Sequence, residues 1–219
     1  VLVSAPRGEG RTNFALNMAL NQAKDGRRVV YVSPNEGYTI TRRKVAAALS
    51  GIPRKELAKP SAEIKRHAQL TTKRIENTFK IFCPTNGSFD EALEAMLALP
   101  DGLDVLFLDD LDVPYWSGNI RTRNIVKVKE AAEKKGIVIV VVVRDKRIAS
   151  SGKIQRMPKT LKQNVEYWLR ISRYSDPYYS VTVMTDLENE RGIPLRGYMD
   201  SSRYRVALSV GSDELAVQG

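Results

Sequence analysis

The stretch "VSAPRGEGRT", residues 3–12, decides how the rest of the chain is read. A hydrophobic strand runs into a turn with two glycines, then a hydroxyl residue, then a helix-forming stretch. That is the outline of a phosphate-binding loop, G-x-x-x-x-G-K-S/T, in which successive N–H groups and a helix N-terminus face an anion. Ala5 stands where the first glycine is expected and Arg11 where the lysine is expected. Gly8 and Gly10 permit the tight backbone, Thr12 can offer its hydroxyl to Mg²⁺, and Arg11 keeps the positive charge. Arginine is a planar fork where lysine is a compact point charge, so any phosphate grip is rearranged. Arg7, Glu9 and Asn13 complete the candidate nucleotide-binding set. A plain strand–turn–helix connection is the alternative reading of the same residues.

Outward from this turn, strands and helices alternate. Phe14, Ala15, Met18 and Ala19 recur at helical spacing, so a helix is expected over 12–25, closed by Gly26. A strand follows over 28–33 and a helix over 38–49. "GIPRKELAKP" reads as a loop, leading to a basic helix over 62–77. A short strand is expected over 80–83, then a helix ending near Leu99 that Ser88 and Glu91 open as a capping box. After the strand in "GLDVLFLDDLDV" a helix spans 120–135, ending in lysines and Gly136, as the helix dipole and a left-handed cap favour. The β-branched run 137–143 reads as a buried strand, and the basic loop 144–159 contains "SSGK". Further strands are expected at 167–172, 179–184 and 204–208, with turns between. The fold class is therefore α/β: a mostly parallel sheet with helices on both faces, extended by antiparallel C-terminal edge strands.

With 219 residues, 42% of them hydrophobic, the chain can bury a substantial core, and one domain over 1–219 is expected. No apolar run approaches the ~18 residues that span a bilayer, so no membrane partner is expected. The sequence opens directly on a core strand with no signal peptide in view, so an upstream domain is expected to be missing from it; a cytoplasmic location is also expected. Cys83 and His67 are the only residues of their kinds. An internal disulfide is thereby excluded, as are Cys/His metal sites and Ser–His or Cys–His catalytic pairs, unless those two meet. His67, in a lysine-rich helical stretch, reads as solvated. The net charge of +10 is concentrated: residues 42–74 carry +8 and residues 144–173 carry +7. Such segments suit a polyanion or form solvated faces.

"VLFLDD" is a buried strand that places Asp109 at its C-terminal tip. A carboxylate there would hold Mg²⁺ opposite the phosphate loop. Asp110 and Asp112 are neighbours that could equally cap the loop.

On these residues the chain resembles the motor domain of bacterial and phage replicative DNA helicases of the DnaB type, within the RecA-like ATPases. "APRGEGRTNFALNMALNQA" is similar to the family's phosphate loop and first helix, and "VVYVSPNEGYTITRRKVAAALSGIP" to its second strand and following helix. "GLDVLFLDDLDV" resembles the metal-binding strand, "KTLKQNVEYWLRISR" a short helix and strand, and "VTVMTDLENERGIPLRGYMDSSRYRV" the closing hairpin region. The resemblance implies a RecA-like fold and ATP or another NTP with Mg²⁺. It also implies a hexameric ring on single-stranded DNA, a primase or helicase loader as partner, and a phage source, hence host cytoplasm. The departures fall at the chemistry. Where the family has its water-orienting glutamate, Asn35 stands, with Glu36 one residue later. At the polar sensor after "IVIVVVV" the chain offers Arg144 or Asp145. Where the family has a lysine and an arginine finger, "ENERG" puts Glu188 and Glu190, with Arg191 one residue displaced. Glu36, Arg191 and Arg144 are thus the implied catalytic residues, and Thr12 and Asp109 the metal ligands. The loops expected to face DNA carry Arg121 and Arg123, then Lys146, Arg147, Lys153 and Arg156. Tyr115 and Trp116 could stack on a base or pack on a neighbouring subunit. A DNA-binding scaffold that has lost hydrolysis is the rival reading, and a filament-forming recombination relative a third.

Overall fold

The computed structural model describes residues 1–6, 8–34, 36–84, 93–95, 97–98, 102–109, 120–144, 162–175, 178–187 and 191–209. Its strands are β1 (Leu2–Ala5), β2 (Val29–Val32), β3 (Phe79–Phe82), β4 (Val105–Leu108), β5 (Val138–Arg144), β6 (Trp168–Ser175), β7 (Tyr178–Asp186), β8 (Arg191–Asp200) and β9 (Arg205–Ser209). The helices are α1 (Arg11–Lys24), α2 (Tyr38–Ser50), α3 (Arg54–Ala58), α4 (Ala62–Lys73) and α5 (Ile120–Lys135). One sheet runs in the order β3-β2-β4-β5-β1-β6-β7-β8-β9. Every pairing from β3 to β6 is parallel, and β7, β8 and β9 follow antiparallel.

Strands covered on both faces lose the usual apolar–polar alternation, and β1, β2 and β4 are buried at every residue. Their side chains nevertheless divide cleanly. Val3, Val29, Tyr31, Phe107, Val140 and Val142 pack with α1 and α2 on one face. Leu2, Val30, Leu106, Val141 and Val143 pack with Ile125 and Val128 of α5 on the other. The sheet is thus a wall whose strand tips, at the carboxyl ends of β1, β4 and β5, share one edge.

Two readings of the sequence are corrected by the C-terminal strands. The strand over 167–172 does not begin the antiparallel edge: β6 lies parallel to β1, with Leu2 opposite Trp168. The buried indole of Trp168 donates to Ser4 Oγ at 2.7 Å, which satisfies both polar groups inside the core. "RGIPLRGYMD", expected to be turn, is the ten-residue β8. It remains a strand because β7 pairs with it from Asp186↔Arg191 to Tyr178↔Tyr198. Pro194 lies beyond the pairing of β9, which begins at Arg196, so β8 has a neighbour on one side only where its N–H is missing. Gly197 is required by contact, since a Cβ there would lie 2.6 Å from the Tyr179 ring. Within "GIPRKELAKP" a short helix, α3, forms because Leu57 turns inward.

The starts of β2 and β4 are tied by Arg28 and Asp104. The guanidinium gives both carboxylate oxygens a hydrogen bond, at 2.8 and 3.1 Å, and the Arg28 amide adds a third at 2.7 Å. These donors pull the Asp104 carboxyl down to about 2 from 3.8. A depressed carboxyl stabilises the fold above its unfolded value and ceases to do so as pH falls through its folded one. The stability gap between wild type and Asp104→Asn, measured by urea unfolding, is expected to be constant above about pH 5 and to narrow between about pH 4 and 2. Trp168→Phe leaves Ser4 buried without its donor, and a loss of about 1–3 kcal/mol is expected in the same assay at neutral pH.

Candidate functional site

The turn after β1 and the start of α1 open onto a cleft of about 500 Å³, a size typical of small-molecule sites. Gly8, Glu9, Gly10, Arg11, Thr12 and Asn13 form its floor, and Lys44, Arg54, Tyr179, Met199, Ser201 and Tyr204 its walls. Gly10 is the N-cap of α1, with φ 82°, and no side chain caps the helix there. The first turn also contains no acidic residue. An uncapped helix start beside a cleft favours an anion through its N–H groups and its dipole. Gly10 is favoured by its φ, and a Cβ there would also displace the end of the Met199 side chain, whose Sδ would lie 2.2 Å away.

Behind this floor stands Asp109, 4% exposed, at the tip of β4. β5 separates β4 from β1 in the sheet, yet α1 leans across, and Thr12 Oγ1 donates to Asp109 Oδ1 at 3.3 Å. The other carboxylate oxygen accepts from the Tyr31 hydroxyl at 2.8 Å. Tyr31 comes from β2 and is stacked between Phe79 and Phe107. Burial first, then the Asp109 charge, push the Tyr31 phenol well above its usual value, so it stays a donor. The Thr12 and Asp109 oxygens fit a magnesium ion. Mg²⁺ takes hard oxygen ligands at about 2.1 Å, so adjacent ligand oxygens lie about 3 Å apart, with water completing the shell.

Glu36 follows β2 on the same edge. Its Oε1 forms an ion pair with Lys44 Nζ, while Oε2 is buried and has no hydrogen-bond partner among the described residues. Its charge reaches Tyr31 and Arg54. Lys44, only 7% exposed, also sits over the Tyr204 ring, 5.3 Å from the centroid. Tyr204 belongs to the β8–β9 turn, which is fastened to the helices around the cleft. The Tyr204 hydroxyl accepts from Arg54 at 2.8 Å, its carbonyl accepts from Asn17, and Arg203 donates to the Gly51 carbonyl at 2.9 Å.

The structure therefore gathers Gly8, Glu9, Gly10, Arg11, Thr12, Asn13 and Asp109 at one place, with Glu36 beside them. Arg144 ends β5 in register with Ala5, at the base of the same turn. Arg191 is not brought there. It starts β8 in register with Asp186, roughly 26 Å along the strand from Met199 at the cleft wall. Arg121 and Arg123, expected in a loop, lie in the first turn of α5. Arg7, Asn35, Asp110, Asp112, Tyr115, Trp116, Asp145, Lys146, Arg147, Lys153, Arg156, Glu188 and Glu190 lie outside the described residues.

The sequence reading missed Tyr31, Lys44, Met199 and Tyr204. Two of these had a signal: a tyrosine inside the buried run "VVYV" needs a polar partner, and Lys44 falls on the apolar face of α2 with Thr41, Val45 and Ala48.

No protein-family model and no curated protein sequence matches the chain. Solved structures do. One of them, an ATPase domain, superposes with a TM-score of 0.73 at 14% identity, over 94% of this chain and 82% of that one. A DnaB-like replicative helicase, described with its interactions with primase, gives 0.71 at 14% identity over 94% of this chain. The chain has the RecA-like fold of DnaB-type helicase ATPase domains. It spans 56% of the length of that helicase chain. Within this DnaB-type fold no described helix is long and apolar enough to cross a membrane.

Tyr31 and Asp109 are expected to act as one unit. Tyr31→Phe removes a donor from a buried carboxylate, and a coupling of about 1–3 kcal/mol with Asp109→Asn is expected from a double-mutant cycle in urea.

Proposed function

We propose that this chain is the NTP-driven motor domain of a replicative DNA helicase. The observation that carries the reading is the contact of Thr12 with Asp109 behind the uncapped start of α1. The DnaB-type fold supports it, because the two similar structures are an ATPase domain and a replicative helicase. The polyphosphate of a nucleoside triphosphate lies along Gly8, Gly10 and the first turn of α1, with Arg11 adding positive charge and Arg7, Glu9 and Asn13 beside it. Thr12 and Asp109 would hold Mg²⁺, which when bound would supply charge neutralisation at the phosphates. Tyr31 fixes the orientation of the Asp109 carboxylate. Glu36 aligns the attacking water through Oε2, the oxygen that its ion pair leaves unused.

Phosphoryl transfer asks mainly for positioning and charge compensation, so this small set suffices in principle. Arg191, remote from its own cleft, acts on the nucleotide of a neighbouring subunit in a hexameric ring, and Arg144 senses the phosphate at the tip of β5. The basic residues after β4 and β5, Arg121, Arg123, Lys146, Arg147, Lys153 and Arg156, track the backbone of single-stranded DNA. A primase or loader is the natural further partner, as the helicase neighbour's interaction with primase suggests. Residues 1–219 form one motor domain in this proposal.

The alternative of a DNA-binding relative without hydrolysis is favoured by the sequence, which has Arg11, Asn35, Glu188 and Glu190 where the resemblance implies a lysine, a glutamate, a lysine and an arginine finger. ATP hydrolysis measured with and without single-stranded DNA separates the two. Wild type is expected to be DNA-stimulated, with Thr12→Ala lower by about 10²–10³, the usual cost of removing one positioned group from a transition state, and Arg11→Ala also impaired. Equal, negligible rates in all three proteins would instead establish the non-hydrolysing scaffold.

A further inference from the structure

Lys44 is a buried charge that the phosphate-loop pattern does not account for. It stands on α2, is 7% exposed, and lines the same cleft as the turn after β1. A lysine taken out of water is costly unless it is compensated. Its compensation here is one carboxylate, Glu36 Oε1, together with the face of Tyr204. Glu36 is in turn only half satisfied, since Oε2 is buried without a hydrogen bond among the described residues. The pair is therefore balanced in charge but not in hydrogen bonding, and it lies at the wall of a cleft that suits an anion. The terminal phosphate of a triphosphate offers more negative charge than a single carboxylate and competes with Glu36 for the ammonium.

We propose that Lys44 is the phosphate-sensing cation of this site, with Glu36 as its counter-ion when no nucleotide is bound. A nucleoside triphosphate draws the ammonium toward its terminal phosphate. Lys44 then supplies the compact point charge that Arg11 does not provide in the loop, and the Glu36 carboxylate is freed to take up water. This inference rests on the nucleotide reading above and adds the residue that tells a triphosphate from a diphosphate.

The test is equilibrium binding of fluorescent ATP and ADP analogues, with Mg²⁺, to wild type, Lys44→Met, Lys44→Arg and Glu36→Gln. Lys44→Met is expected to weaken the triphosphate by about tenfold or more, the value of roughly one charge-assisted hydrogen bond, and the diphosphate by less than about threefold. Lys44→Arg should recover most of the loss. Glu36→Gln should bind the triphosphate more tightly than wild type, because the competing carboxylate charge is gone. That gain should vanish when Lys44→Met is added.

Equal weakening of both nucleotides by Lys44→Met, or weaker triphosphate binding by Glu36→Gln, overturns the inference while leaving the nucleotide site in place. Wild type that binds neither nucleotide overturns the nucleotide reading and this inference with it, so the two failures are distinct. Should Lys44→Met fail to fold by circular dichroism, the Glu36→Gln comparison decides alone: tighter triphosphate binding supports the sensor and unchanged or weaker binding removes it.

Discussion

A single buried carboxylate organises the working edge of this molecule. Asp109 sits almost out of reach of water and must find donors within the protein. It takes one from Thr12 at the start of α1 and one from Tyr31 in the middle of β2. Three elements, a helix and two strands, are thereby referred to one carboxylate. The Thr12 bond adds to the packing of Phe14, Leu16, Ala19 and Leu20 in holding α1, and with it the turn after β1, over the strand tips. Tyr31 can serve only because Phe79 and Phe107 hold its ring flat in the core while its hydroxyl reaches the edge.

A second layer lies above the first. The turn between β8 and β9 is a roof built from distant sequence, and its fastenings run to α1, to the end of α2 and to the start of α3. Arg205 adds another bond to the Ala48 carbonyl at 3.3 Å. The Asp200 carboxylate secures the turn internally: burial opposes its charge, but bonds from Ser202 and Arg203 outweigh this and bring its pKa to about 2. Floor and roof are thus separate constructions, joined through Tyr204 to Asn17, Arg54 and Lys44 and through Arg203 and Arg205 to the end of α2.

How much of this could be read from the sequence depends on how local the deciding physics is. The parallel core was legible because strands buried on both faces leave uninterrupted runs such as "VLFL" and "VIVVVV", and because Gly26, Gly51 and Gly136 punctuate the helices. The meeting of Thr12 with Asp109 was legible too, since each follows a strand whose direction is set by the alternation of strand and helix. β8 was not. Its glycines and proline favour turns by local propensity, and only pairing with β7 along its length overrides that preference. Lys44 and Tyr31 were hidden for a related reason: a charge or hydroxyl on a buried face has meaning only once its partner is known. The partners, Glu36 and Asp109, come from other parts of the chain. The placement of Arg191 likewise depends on strand direction, since β8 ends near the cleft and begins at the opposite edge.

That last feature has a mechanical side. A strand bonded to its neighbour along its whole course is stiff in the lengthwise direction, because stretching or sliding it breaks several bonds at once. Met199 and Arg191 stand near the two ends of β8, which keeps one register with β7 from Gly192 to Tyr198 and shifts it between Met184 and Asp186. The ladder thereby sets the separation between the cleft wall at Met199 and the exposed Arg191, with its one slip of register at the Arg191 end.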